Sequence, residues 1–479
     1  MNIDQAMLER ITAEVISRMQ TGSDAGRIAA DGIFSSIDEA VTAARTAYQE
    51  LRQLSIEKRE CLVQAMRDAA YGEAAILAEM AVKESGMGRI DDKTVKNQVA
   101  ARKTPGTEDL TTAAWSGDCG LTLVEMGPYG VIGSITPTTN PTETVICNGI
   151  GMIAAGNAVV FSPHPTAKNT SLYTIRLLNK AIVRAGGPAN LLTAVSEPSL
   201  EATNAMMAHP AINMLVATGG PAVVKAVLSS GKKAIGAGAG NPPAVVDETA
   251  DIEKAARSIV AGCSFDNNLP CIAEKEVIAV GSIADRLIGY MQRYGAYLLS
   301  PQDVDRLMKI VLTEQAELAA PGCTEKPSRS YAVNKQYVGK DAVYILAQLG
   351  IKAAADIRVI LCETESDHPF VLEELMMPIL PVVQVKDIDA AIALAVKVEH
   401  GNRHTAIMHS KNVDHLTRFA KAVETTIFVK NAPSFAGIGV GGEGYCTFTI
   451  AGPTGEGLTS PRSFTRQRRC TLVDGFSIV

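Results

Sequence analysis

The chain has 479 residues, 47% hydrophobic and 20% charged, with a formal net charge of −6. That length calls for two to four domains of about 100–200 residues, and the mildly acidic balance argues against a nucleic-acid groove or an anionic membrane surface as main partner. No apolar run reaches the ~20 residues of a membrane-spanning helix, and the first residues lack the unbroken apolar core expected of a secretory signal. Nine cysteines stand singly with no CxxC pair, which fits free thiols in a reducing cytoplasm rather than disulfides or structural zinc.

Residues 1–20, "MNIDQAMLERITAEVISRMQ", place Ile3, Met7, Leu8, Ile11, Val15, Ile16 and Met19 at helical spacing, with charges between them. The small, polar stretch 21–34 reads as a tether. A tethered amphipathic helix packs on its own protein, on a sister subunit or on another protein. Residues 35–100 are helical in pattern with charged faces. From about 121 the texture changes to alternating strands and helices: "GPYGVIGSITP", "NPTETVICNGIGMIAAGN", "AVVFSPHP", "TSLYTIRLLNKAIVRAGG", "NLLTAVS", "LEATNAMMA" and "AINMLVATGG". Such alternation predicts βαβ units in a doubly wound parallel sheet. A second alternating block spans about 241–430. The β-prone tail "YCTFTIAGPTGEGLTSPRSFTRQRRCTLV" suits an edge or a subunit contact.

Parallel sheets bind ligands beyond the carboxyl ends of their strands. Here those ends carry "TPTTNP" (136–141), "FSPHP" (161–165) and "ATGGP" (217–221). Thr218, Gly219 and Gly220 open a helix, where backbone N–H groups favour a phosphate. Three such turns in one block point to a nucleotide. Residues 265–277, "FDNNLPCIAEKEV", deliver Cys271 on a turn of Asp266, Asn267, Asn268 and Pro270. Position leaves two readings open, a small buried hydrophobe or a nucleophile. In "EHGNRHTAIMHS" the pair His400 and His404 has a helical metal spacing, but Gly401 and Asn402 favour a turn.

Taken in order, "TPTTNP", "VVFSPHP", "VATGGP", "AIGAGAGNPP", "FDNNLPCIAEKEV", "EELMMPILPVV" and "EHGNRHTAIMHS" resemble the aldehyde dehydrogenase superfamily. More narrowly, they resemble the coenzyme-A-acylating acetaldehyde and propionaldehyde dehydrogenases of bacterial microcompartments, from about residue 35 to the end. The resemblance implies two Rossmann-like α/β domains with a small β oligomerisation element. Residues 35–118 and 129–240 would bind the nicotinamide cofactor, 241–431 would carry the nucleophile, and 119–128 with 446–479 would join subunits into a dimer or tetramer. Cys271 would be the nucleophile, with Asn140 and the Cys271 N–H as oxyanion donors. Thr136, Pro137, Ser162, His164, Thr218, Gly219, Gly220 and Glu374 would contact the cofactor, with Glu374 on the nicotinamide-side ribose. Residues 1–20 would dock to a microcompartment shell or its cargo.

Three departures qualify the resemblance. Gly236 falls near the place of the glutamate base that activates water in hydrolytic relatives, a contribution typically worth 10²–10⁴-fold. A thiol needs no such base, so the reaction implied is oxidation of a short-chain aldehyde, propionaldehyde or acetaldehyde, with NAD and coenzyme A, through a Cys271 thioester. Ser162 replaces a lysine that touches the adenosine ribose, which leaves NAD against NADP open, and Val224 replaces a second glycine of the phosphate turn. The rivals are a hydrolytic enzyme making free acid and a non-catalytic scaffold. An activated Cys271 thiolate would be labelled selectively by iodoacetamide.

Overall fold

The structure, a computed structural model, describes residues 31–315 and 330–478. The expected helix of residues 1–20 and residues 21–30 of the tether lie outside the described residues. Four helices follow a short strand, β1 (Ile33–Phe34): Ile37–Leu51, Ile56–Gly72, Ala74–Ser85 and Ile90–Lys103. Ser36 and Ser55 start the first two by accepting from N–H groups three residues on. The fourth departs from the expected pattern of charges facing solvent: its buried side is Lys93, Lys96, Asn97, Ala100 and Ala101.

Strands β2 (Ala113–Gly117) and β3 (Gly120–Pro128) form a hairpin that leads into β4 (Val131–Thr136). With β5 (Ala158–Pro163), β6 (Leu192–Val195), β7 (Met214–Thr218) and β8 (Lys233–Ala237), β4 builds a parallel sheet in the order β1-β6-β5-β4-β7-β8. The chain winds from β4 through β5 to β6, then crosses to β7 and β8. The winding therefore reverses between β4 and β7, the place where such sheets take ligands. Every residue of β4, β5, β6 and β7 is buried, as expected of a sheet covered on both faces.

The second sheet uses β9 (Pro243–Val246), β10 (Glu276–Val280), β11 (Ala296–Leu298), β14 (Val359–Glu363), β15 (Ile379–Val385), β16 (Thr405–His409) and β17 (Ile427–Lys430). The hairpin β12 (Leu312–Gln315) and β13 (Ser330–Val333) stands beside it. Its order is β11-β14-β15-β10-β9-β16-β17, again all parallel. The passage from β8 to β9 falls at 238–242, next to the expected boundary at 240.

The small β element differs from expectation at both ends. Strand β20 (Thr465–Val473) pairs antiparallel with β3, but β2 also joins, giving the order β2-β3-β20. Residues 446–464, expected in the same element, instead pack on the body. Cys446, Phe448, Ile450, Ala451 and Phe464 belong to the main core, and Ile450–Ala451 (β18) pairs with Gly457–Leu458 (β19).

Candidate active site

Asp266, Asn267 and Asn268 hold three consecutive left-handed conformations, with φ of 49°, 54° and 67°. Asp and Asn tolerate that region better than other side chains. Side-chain bonds hold the turn. Asn267 Nδ2 donates to Gly339 O at 2.9 Å, and Asn268 Nδ2 donates to Cys263 O at 3.0 Å and Glu274 O at 2.9 Å. The turn presents Cys271 half-buried at the amino end of β10.

Four neighbours converge there. A Cβ on Gly240 would sit 2.8 Å from Cys271 O and 2.9 Å from the His404 ring, so the loop before β9 lies against both. Lys275, buried, donates to Asn268 O at 2.9 Å and Asn268 Oδ1 at 2.7 Å, and stands 4.0 Å from Glu374. Burial, then the charge of Glu374, pushes the Cys271 thiol up to about 12, against the opposing charges of Lys275 and Lys96. In the absence of cofactor and substrate the pocket therefore favours the thiol over the thiolate. Burial raises the Glu374 carboxyl too, offset by Lys275 and the Gly240 N–H.

His404 is neutral. Burial and the Lys275 charge push it down to about 4, its Nδ1 pairs with Thr405 Oγ1 at 2.9 Å, and its Nε2 has no partner among the described residues. The helix before it ends at Val398, and His400 lies in a turn with φ of 58°, so the helical histidine pair does not form. Among the described residues no cluster of His, Cys, Asp and Glu could hold a metal ion.

Asn140 follows β4 and precedes the wholly buried helix Pro141–Ala154. Its Oδ1 accepts from Lys96 Nζ at 2.6 Å, and its Nδ2 donates to Thr139 Oγ1 at 3.2 Å. The charge of Lys96 also acts on Cys271, where it lowers the thiol pKa against the larger rise from burial. Gly236 is not part of it. Its Cβ would point at Val224 Cγ1, 2.7 Å away, under the helix Pro221–Leu228. The glycine that lies against Cys271 comes four residues later, Gly240, at the end of the stretch 238–240, which has no carboxylate.

The remaining sequence candidates gather at the carboxyl ends of β4, β5 and β7. Thr136 is buried and its Oγ1 has no partner among the described residues; Pro137 follows it. Ser162 shares a 2.8 Å hydrogen bond with Thr203, and His164 caps the turn 165–167. Burial and the Lys335 charge push His164 below the usual imidazole range. Thr218 ends β7, Gly219 follows, and Gly220 caps the helix Pro221–Leu228 with open space where a Cβ would be. An orphan hydroxyl beside an open glycine turn at the reversal of winding fits a dinucleotide. Glu374 comes from the other sheet and faces Cys271.

Sequence reasoning missed four participants: Lys96, Lys275, His404 as a lone base, and the strap 446–450. Thr449 Oγ1 meets Thr218 Oγ1 at 2.7 Å and donates to Asn148 Oδ1 at 3.0 Å, and the Phe448 ring centroid lies 5.6 Å from Lys96 Nζ. Nothing local in the sequence marks any of the four.

Known proteins resemble this chain along most of its length. The model of the aldehyde dehydrogenase family matches residues 9–305. The chain is 52% identical over 448 residues to propanal dehydrogenase (CoA-propanoylating) of Salmonella typhimurium, covering 93% of each. It is also similar to a propionaldehyde dehydrogenase of Rhodopseudomonas palustris solved with bound CoA and an acylated cysteine. That likeness has a TM-score of 0.88 and 58% identity, over 93% of this chain and 98% of that one. A propionaldehyde dehydrogenase from the fucose utilisation microcompartment of Clostridium phytofermentans matches with a TM-score of 0.88 and 52% identity, over 94% and 100%.

Proposed function

The chain belongs to the aldehyde dehydrogenase family, and from that premise we propose that it oxidises a short-chain aldehyde, propionaldehyde foremost, to acyl-CoA with NAD(P) and coenzyme A. The observation that carries the reading is that the stretch 238–240, whose Gly240 lies against Cys271, offers no carboxylate to activate water, while the carboxylate that does face the sulfur, Glu374, stands 4.0 Å from the Lys275 ammonium.

Cys271, a thiol at rest, gives its proton to solvent and attacks the carbonyl as a thiolate, a form the Lys275 ammonium favours. The thiohemiacetal oxyanion is met by Asn140 Nδ2 and the Cys271 N–H, donors of a kind worth roughly 2.7–4 kcal/mol each. Thr136, Thr218, the 219–220 turn and Glu374 would hold a nicotinamide cofactor, which would accept the hydride that the thiohemiacetal loses on becoming a thioester. The Cys271 thioester then meets the coenzyme A thiol, whose proton passes to His404 Nε2. The collapse releases acyl-CoA and the Cys271 thiolate.

Without coenzyme A the wild type is expected to stop after one turnover, with an acyl group on Cys271 visible by mass spectrometry; sustained free-acid production would overturn the reading. Cys271→Ser keeps the fold and loses turnover. Gly238→Glu, where no atom lies within 4 Å of a Cβ, raises the acid share of the product. The microcompartment relative supports a lumenal location, with residues 1–20 as the docking segment. A truncation lacking them should stay active but leave the shell fraction; its retention there would refute the placement.

A further inference from the structure

An asparagine that caps a helix ordinarily turns its side-chain oxygen onto the N–H of the second or third helical residue. Asn140 caps Pro141–Ala154 with no such bond. Its Oδ1 goes to Lys96 instead, at 2.6 Å. That buried ammonium also donates to Asp266 Oδ2 at 2.7 Å and pairs with Glu143 Oε1 at 2.9 Å. Lys93 completes the group, 2.9 Å from both Asp266 Oδ2 and Thr139 O. Two cations and two carboxylates are thus enclosed together. Desolvation offsets most of the Coulombic gain in such clusters, so what this one contributes lies in what it fixes.

We propose that Lys96 is a positioning residue of the reaction: it holds Asn140 Oδ1 so that Nδ2 is the end offered to the oxyanion, and through Asp266 it sets that amide against the turn presenting Cys271. The inference rests on Asn140 being the oxyanion donor. An ammonium carries donors only, and an amide has one accepting and one donating end. With Lys96 in place, a flipped amide would set N–H against N–H. Without it, the flip would aim a carbonyl oxygen at the developing negative charge. Asp266 is itself held, since its Oδ1 accepts from Arg89 N at 2.8 Å and its N–H donates to Asp92 Oδ2 at 3.0 Å. Asp266 lies five residues before Cys271, in the left-handed turn. One carboxylate therefore joins both halves of the site.

The test is a double-mutant cycle on the full-length enzyme, read by the rate of the first hydride transfer in the absence of coenzyme A. Asn140→Ala should cost about 10²–10³-fold. Lys96→Met should cost roughly 10²-fold, the scale of a ~1 Å misplacement, with the KM for aldehyde little changed. Added to Asn140→Ala, Lys96→Met should cost less than roughly threefold more, because it acts through an amide already gone. Removing one buried charge endangers the fold, so K96M/E143Q is made alongside it; it deletes the anchor yet leaves one cation facing one carboxylate. A folded K96M/E143Q enzyme with wild-type rate overturns the proposal, as do losses that multiply in the Asn140→Ala background. A harmless Asn140→Ala would fail the oxyanion reading first, a result distinct from either.

Discussion

Glu374 and Lys275 stand 4.0 Å apart with opposite charges, and each acts on the Cys271 sulfur. Glu374 raises the thiol pKa and Lys275 lowers it, on top of the larger rise from burial. Removing either charge therefore has a determined sign. In cofactor-free enzyme at fixed pH, Glu374→Gln should lower the thiol pKa from about 12 and speed alkylation by iodoacetamide. Lys275→Met should raise it and slow alkylation. Thiolate population changes tenfold per pKa unit in this range, and that is the expected scale of each effect. Equal rates in both variants would show that neither charge reaches the sulfur. The same pair shows what a residue-level reading could find. Cys271 was legible because turn-formers surround it; Lys275 was not, because a buried lysine in "CIAEKEV" reads like any solvated charge until Asn268 and Glu374 are seen around it.

Local pattern predicted the elements well where it reflected backbone chemistry, and poorly where it depended on what covers them. The helix Pro141–Ala154 and the strands β4, β5, β6 and β7 follow from proline and glycine punctuation around apolar runs. Ile90–Lys103 was recognisable as a helix, yet its buried face is Lys93, Lys96 and Asn97, polar residues that the periodicity assigns to solvent. Their partners lie far along the chain, with Asp266 170 positions beyond Lys96. Element ends show the same division. The first sheet offers the proposed cofactor site at its strand carboxyl ends, as the general rule for such sheets says. The second offers amino ends: Glu374 precedes β15, Cys271 precedes β10, Gly240 precedes β9 and His404 precedes β16, all neighbours in one sheet. No run of residues states that two sheets meet tail to head. Gly236 shows the same limit, since no local pattern says that its Cβ would sit under the helix Pro221–Leu228 while Gly240, four residues on, lies against Cys271.

At the scale of the whole molecule, the two large sheets enclose themselves, whereas the small one does not. In β20 every residue after Thr465 is exposed, and β2 is exposed throughout. Trp115 is 58% exposed, Val473 64% and Phe476 70%, an apolar group too large to leave in water on an unsupported three-stranded sheet. Among the described residues, strand β20 also leaves one edge of nine residues unpaired, an invitation to another chain. The resemblance implied a subunit-joining element, and this exposure supports assigning that role to β2, β3 and β20, with 446–464 returned to the body as a strap over the cofactor turn. Stable association buries about 800 Å² on each partner, so a few charges should defeat it. Trp115→Lys combined with Leu472→Glu is expected to reduce the mass measured by light scattering to that of one chain, while Cys271 alkylates at the wild-type rate. An unchanged mass would mean that subunits join through another face, and that this sheet is covered by something else.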